Sequence, residues 1–529
     1  MKRNQFRIKS ISLFAIVLLA FSSCKKVLDL QPYSSFSDAS AFTDPDKINL
    51  AVNGVYDAAQ SGFYPGGQRG YPFGAASVAQ GDMRGEDMAN AALFYQITYE
   101  STINNVTANN DNMFQNLYAL INKANLTMEG IADAVTKNII PAATGNSFIA
   151  ECRMLRAMAH HELVTHFARP YSDGNGSQVG IIYREFGVNS EAKAEEARAL
   201  KREDFPVSLV YTKILEDLDF AEANLPNNST VKTYRASKAA AIALKMRVKL
   251  HKGDWAGVIA EGNKLVPNAA PYVSPIGGWQ LMPTPEGPFA NNTSNESIFS
   301  MKNDPTDNPN VNAALAAMYG DPAISGRGLV RISPIIWSDA RWLCTDVRRG
   351  STLSRVYADA VYSNKYRDIA TRSDATPLIR YAEVILMLAE AEARNAATVS
   401  TRALDLLNAI RNRAVTTVAD QFTIASFPTK NSLIAAILFE RRVEFLAEGK
   451  RWGDIHRLAK DPDFAPVAGG GIPSKVGTGA TNTAWYNCAG GVSITRAVPE
   501  IPYSNFRFIW PIPLVEIQQN ANYTQNPGY

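Results

Sequence analysis

Residues 377–458 constrain the fold of this chain more than any other stretch. In LIRYAEVILMLAEAEAR, Tyr381, Val384, Ile385 and Leu388 recur at i, i+3, i+4 and i+7, which puts them on one face of an α-helix. The alanines between them allow a neighbouring helix to approach closely. The same spacing returns over residues 401–413 through Ala403, Leu406, Leu407 and Ile410. A third helix is expected over 432–449, where Phe445 lies one heptad beyond Leu438, and it runs into KRWGDIHRL. Two antiparallel helices with a third packed back on them make a framework, and nothing in it is arranged for catalysis.

Helical periodicity dominates elsewhere too. Helices are expected over 45–60, 112–135, 147–168 (Phe148, Cys152, Leu155 and Ala159 at helical spacing) and 208–225. Residues 236–266 read as a helix, a Gly-Asp turn and a second helix, close in size to a tetratricopeptide repeat of about 34 residues. Residues 381–413 form a similar pair. Stacked helix pairs generally scaffold binding rather than chemistry. Three segments break this pattern. Residues 61–107, rich in glycine, aromatics and amides, are expected to form a long irregular surface segment. Residues 267–376 repeat proline, glycine and asparagine around one expected strand at 296–301, and 462–502 is similar, with three glycines at 469–471. The expected fold is therefore mainly α, a tetratricopeptide-like helix-pair scaffold with long loop-rich insertions and a few short strands.

A chain of 529 residues, 46% hydrophobic and 19% charged, can bury a large core and is not disordered. Its formal charge of +3 misleads, because Lys2, Arg3, Arg7 and Lys9 sit in a leader. Without them acidic and basic residues nearly balance, so no global attraction to nucleic acid is indicated. The leader has a basic start, an apolar run at 11–21 and FSSC, an arrangement that reads as a signal peptide over 1–23. The run is shorter than the roughly 20 residues a membrane span needs. Small residues before Cys24 resemble a bacterial lipobox, in which that cysteine is acylated. The alternative is an ordinary cleaved signal with an incidental cysteine. Acylation would leave a soluble body on a lipid tether. Cys152, Cys344 and Cys488 are far apart and lack CxxC spacing, so neither a disulfide framework nor a zinc site is expected, although one pair is free to bridge in an oxidising compartment. Cys152 falls on a helical apolar face, as a small buried hydrophobe would.

Candidate chemistry is sparse. The histidines of HELVTH, His161 and His166, are five apart, which separates them by about 140° around a helix, so they cannot share a metal as HExxH does. They read as surface or capping residues. In ERRVEFLAEGKRWGD, Arg441–Glu444 and Glu448–Arg451 have the i, i+3 spacing of surface ion pairs. DGNGSQVG at 173–180 follows a helix, not a strand, and reads as a turn rather than a dinucleotide loop. No cofactor or metal is expected. Loop aromatics are the stronger signal: Tyr71, Phe73, Phe94 and Tyr95 in the first insertion, and Trp279, Trp337 and Trp342 in the second. Aromatic faces stack on the C–H face of a sugar, and Arg84, Asp87 and Asn90 would hydrogen-bond its hydroxyls. The alternative is that these aromatics pin the loops to the scaffold.

CKKVLDLQP, RMLRAMAHHELVTHFARPY, ASKAAAIALKMRVKLHKGDW, ESIFS, the 377–458 block and the terminal WPIPLVEI…NPGY occur together and in this order. In that combination the chain resembles the SusD/RagB family of outer-membrane nutrient-binding lipoproteins. The resemblance implies one SusD-like domain over 24–529, with parts 24–266, 267–376 and 377–529. It also implies four tetratricopeptide-like helix pairs beneath a loop-rich ligand face, formed by the loops after the first helix and by the middle insertion. A SusC-like TonB-dependent transporter is the implied partner, with the lipoprotein anchored in the outer membrane, facing the cell exterior and acting as a lid. The implied role is non-catalytic glycan binding. A peptide-binding subunit of the same architecture is one alternative, and a secreted hydrolase is another.

Overall fold

Helices begin where a side chain takes up the free amides of the first turn. In the computed structural model, which describes residues 38–62, 70–227 and 233–529, α1 (Pro45–Ser61) opens on Asp44, whose carboxylate accepts from Lys47 N at 3.0 Å. Then follow α2 (Ala75–Met83), α3 (Ala108–Thr136), α4 (Ala142–Phe167) and α5 (Val207–Asn224). Ser237 caps α6 (Lys238–Lys252), which ends on Gly253 at φ 73°, a left-handed conformation that a side chain would strain. Asp254 at once caps α7 (Trp255–Leu265) by accepting from Gly257 N at 2.9 Å. The Gly-Asp pair read in the sequence is thus the whole turn. Beyond the middle insertion come α8 (Tyr381–Asn395), α9 (Thr401–Arg411), α10 (Lys430–Glu444) and α11 (Arg451–Leu458), with a Thr429–Ser432 capping box opening α10. The leader and Cys24 lie outside the described residues, and no helix among the latter is long and apolar enough to cross a membrane.

The helices stack largely in chain order. α3 packs on α1 and α4, α4 on α5, α5 on α6, α6 on α7, α7 on α8, and α8 on both α9 and α10. Small residues let the axes approach: Ala239, Ala240, Ala241 and Ala243 of α6 and Ala382, Ala389, Ala391 and Ala393 of α8 are all buried. The predicted faces are in the core, including Tyr381, Val384, Ile385 and Leu388, and Ala403, Leu406, Leu407 and Ile410. Cys152 is a buried free thiol, and Cys344 is joined to Cys488, which ties the middle insertion to the last.

Strands organise the insertions. β1 is Met88–Asn90, β2 Ser297–Met301, β3 Val330–Ile332, β4 Ser354–Tyr357, β5 Ala360–Ser363 and β6 Thr376–Arg380. β2 and β6 pair antiparallel, with Ser297 opposite Arg380 and Met301 opposite Thr376, so they clasp the base of the insertion between them. The order β1-β3-β5-β4 makes a second sheet, and beneath it lies a core that shares Phe439 and Val443 with α10.

Two expectations fail for one physical reason. Residues 61–107 are not an irregular surface segment: where described they hold α2, β1 and the short helix Gln96–Tyr99, and Gln80, Asp82, Arg84, Glu86 and Asp87 are buried. Nor are the charges of ERRVEF on a surface, and neither i, i+3 pair forms. α10 lies between the helical stack and the loop core, so both of its flanks are covered. Arg441 instead pairs with Asp454 at 3.1 Å, and Arg451 with Glu86 at 2.7 Å. Glu444 meets Arg380 and Arg348, each at 3.1 Å, and Arg413 at 3.2 Å. Arg380 also binds Glu448 at 2.8 Å and pairs with Glu296.

Burial pushes Glu444 up, but the charges of Arg413, Arg380 and Arg348 outweigh it and hold the carboxyl at about 2, against an ordinary 4.5. The folded protein therefore prefers the ionised form. The stability this confers is complete above the ordinary value and drains away as pH falls from about 4.5 through about 2. Arg380→Met leaves three buried carboxylates short of a partner and should cost about 3–5 kcal/mol at neutral pH. Urea denaturation of the two proteins at pH 7 and pH 3 checks both statements, since the gap between them should narrow in acid.

Candidate ligand-binding face

Three insertions far apart in sequence meet at one sheet. β1 lies antiparallel to β3, with Met88 opposite Ile332 and Asn90 opposite Val330, and this joins the first insertion to the middle one. The third arrives at the same edge: Asn90 O accepts from Gly479 N at 2.9 Å, and Asn90 Nδ2 donates to Thr478 Oγ1 at 3.3 Å. Lys475, fully buried, donates to Met83 O and Tyr99 O, both at 2.7 Å, and Tyr486 donates from its hydroxyl to Ile332 O at 3.1 Å. Burial pulls the Lys475 ammonium down to about 7, with the charges of Glu86 and Glu100 opposing that shift.

The ten side chains singled out in the sequence do not line one binding surface, and Phe94 alone among them is exposed. Tyr71 and Phe73 pack into the helical core, and the Tyr71 hydroxyl accepts from Gln80 at 3.0 Å. Arg84 is clamped with its guanidinium 3.2 Å from the Trp452 ring centre and donates to His166 Nδ1 at 3.1 Å. Asp87 pairs with Arg442 and Arg451, and Asn90 holds the sheet edge. Tyr95 is buried beneath Phe94, edge to face at 4.9 Å. Trp279 is fully buried in the helical core. Trp337 and Trp342 pack edge to face at 5.2 Å, with Arg349 over both rings at 4.6 and 4.2 Å. The physical reason is size. An insertion this long needs a core of its own, and the large aromatics are what fill it. The pinning alternative describes these tryptophans.

What remains on the surface is a smaller constellation. The Phe94 ring stands 5.2 Å from the Arg327 guanidinium, which donates to Asn312 Oδ1 at 2.5 Å, and Leu93 beside it is 81% exposed. At the other end of the sheet Tyr357 is exposed, Trp485 is half-buried, and Thr483 donates to Asp359. Aromatic faces with neighbouring amide, hydroxyl and guanidinium groups offer both stacking and hydrogen bonding. Arg327 and Asn312 carried no signal in the sequence, because no aromatic lies within six residues of either. Trp485 carried one as a loop tryptophan.

Below this face, between α4, α11 and the first insertion, lies a cavity of about 90 Å³ lined by Phe73, His161, His166, Arg247, Glu383 and Trp452 among others. That is room for a few waters and not for a sugar. His161 and His166 are buried rather than on the helix surface, and burial pulls both down to about 4, so they are neutral at pH 7. Among the described residues no group of three or more His, Cys, Asp or Glu is placed to hold a metal.

Comparison with known proteins covers both halves of the chain. A family model described as "SusD family" matches residues 344–529, and one described as "Starch-binding associating with outer membrane" matches 26–250. SusD-like protein P38 of Formosa agariphila is 23% identical over 521 residues, spanning 88% of this chain and 94% of that protein. SusD-like protein P2 of the same organism is 25% identical over 490 residues, spanning 84% and 90%. A SusD superfamily protein from Bacteroides fragilis superposes with a TM-score of 0.73 at 25% identity, covering 92% of this chain and all of its own. A SusD-like carbohydrate-binding protein from Bacteroides vulgatus does so with 0.68 at 17% identity, covering 91% and 97%. The fold is the helix-rich SusD-like one.

Trp279→Ala should lower stability by about 3–5 kcal/mol, the range for emptying a buried aromatic site, while Phe94→Ala should leave the melting temperature nearly unchanged. Thermal melts of the two variants beside the wild type read this directly.

Proposed function

The chain belongs to the SusD/RagB family, and from that membership we propose that it is a non-catalytic, surface-tethered glycan-binding subunit. On this reading it hands oligosaccharide to a SusC-like TonB-dependent transporter in the outer membrane. The observation that carries the reading is the meeting of three insertions in one face that displays Phe94 with Arg327 and Asn312. The relatives add support, since one family model is described as starch-binding and outer-membrane-associated and one structural neighbour as carbohydrate-binding. The charge chemistry agrees with a passive role. Glu444 of α10 and Asp454 of α11 are held ionised by arginines, whereas a general acid needs a proton to give at working pH. Acylation of Cys24 would supply the membrane attachment.

Isothermal titration of the purified protein against a panel of oligosaccharides and peptides tests the ligand class. Binding of a glycan, weakened by about tenfold in Phe94→Ala for loss of one stacking platform, is the expected result. Binding of peptides alone would replace the glycan by its alternative, and turnover that survives purification to homogeneity would sink the non-catalytic reading. Cys24→Ala should release the protein from the membrane fraction in cells that lack the transporter. Its retention there would refute the anchor. Digestion of intact cells with a non-permeant protease reports the face it occupies, and exposure at the cell exterior is expected.

A further inference from the structure

We propose that the cleft between the middle of α3, residues 184–188 and the C-terminal helix Leu514–Gln519 binds a single pyranose ring, at a site separate from the loop face. The cleft holds about 210 Å³ and is lined by Tyr118, Ile121, Asn122, Arg184, Phe186, Val188 and Glu516. A cavity of about 150 Å³ accommodates benzene, so this one has room for a six-membered ring with its substituents.

Its wall is built rather than incidental. Three side chains spaced along one face of α3 grip the backbone of 184–188. Asn122 exchanges two hydrogen bonds with Val188, at 3.1 and 2.7 Å. Asn125 donates to Arg184 O at 3.2 Å and to Phe186 O at 2.9 Å, and Glu129 accepts from Gly187 N at 2.7 Å. With its backbone held this way, the segment leaves the side chains of Arg184 and Phe186 to the cleft. Among the described residues neither Arg184 nor Glu516 forms an ion pair, and the buried Nε of Arg184 has no hydrogen-bond partner. Tyr118 spends its hydroxyl on Ile182 O and Tyr523, both at 2.8 Å, so what it offers the cleft is its ring.

The mix of groups selects the ligand class. An anion would meet Glu516 and a cation would meet Arg184, so a neutral ligand is favoured. Arg184 supplies donors and Glu516 acceptors, which suits hydroxyls that both give and accept. Tyr118, Phe186 and Ile121 supply an apolar wall for the C–H face of a ring. A neutral polyhydroxylated ring satisfies all three requirements, whereas an extended peptide exceeds the volume.

Saturation-transfer NMR with the methyl pyranosides of glucose, galactose and mannose, and with free amino acids, tests this on the whole protein. Transfer to at least one pyranoside is expected, with affinity reduced by about tenfold in Arg184→Ala through loss of a charged hydrogen bond. Phe186→Ala and Glu516→Gln should weaken it too, and they keep the test decisive if the arginine variant fails to fold. Measured in a Phe94→Ala background, where the loop face has lost its ring, pyranoside binding should persist and should fall when Arg184→Ala is added, which separates this site from the loop face. The proposal is overturned if no pyranoside binds, if amino acids bind instead, or if binding is lost with Phe94 and kept without Arg184.

Discussion

The structure depends on a buried network of ion pairs along α10 and α11. Arg380 sits among Glu296, Glu444 and Glu448, Arg348 among Asp346, Glu440 and Glu444, and Arg457 between Glu390 and Asp454. Taking such charges out of water is costly, and the attraction repays that cost only where each charge is paired and its remaining hydrogen bonds are met. Here the partners come from different parts of the chain. Glu296 stands at the clasp of the middle insertion, Glu86 and Asp87 belong to the first, and Arg457 and Glu390 join two helices of the stack. A loop that drifts from an apolar surface loses about 1.5–3 kcal/mol for each large side chain it exposes. It cannot leave a carboxylate unpaired in the interior.

That constraint explains how so much non-helical chain becomes a defined surface. The insertions have a second core beneath them, but α10 contributes to it from above the helical stack, so the two halves share one element. The sheet order β1-β3-β5-β4 and the Cys344–Cys488 bridge, 144 residues apart in sequence, then lock the insertions to each other. The candidate face is therefore a tied construction rather than a set of free loops, which would reduce the ordering entropy lost on binding a ligand there.

Rigidity also clarifies the division of labour among aromatics. Trp279, Trp337, Trp342 and Tyr95 are buried, fill space and hold the insertions in place, so on the proposed function recognition falls to a few side chains at the rim. Phe94 with Arg327 on the loop face, and Phe186 with Arg184 in the cleft by α3, share one composition of ring plus guanidinium. The buried histidines of α4 are held neutral between tightly packed rings and serve packing and hydrogen bonding.

The sequence by itself determined the helical frame. Apolar period, alanine content and the Gly253–Asp254 turn are local, and a helix's buried face follows from spacing along one chain segment. The clasp strand at 296–301 was legible for the same reason. Which aromatics meet solvent was not, because a loop tryptophan facing a sugar and one facing a core have the same neighbours in sequence. Glu444 and Arg451 read as surface charges since their spacing matched an exposed helix, and only the covering of both flanks of α10 turned them inward. Asn312 and Arg327 became candidates solely because β1 pairs with β3 and carries Phe94 to them. Tertiary structure decided those cases, as burial and contact between distant segments are properties of the packed chain and not of any window along it.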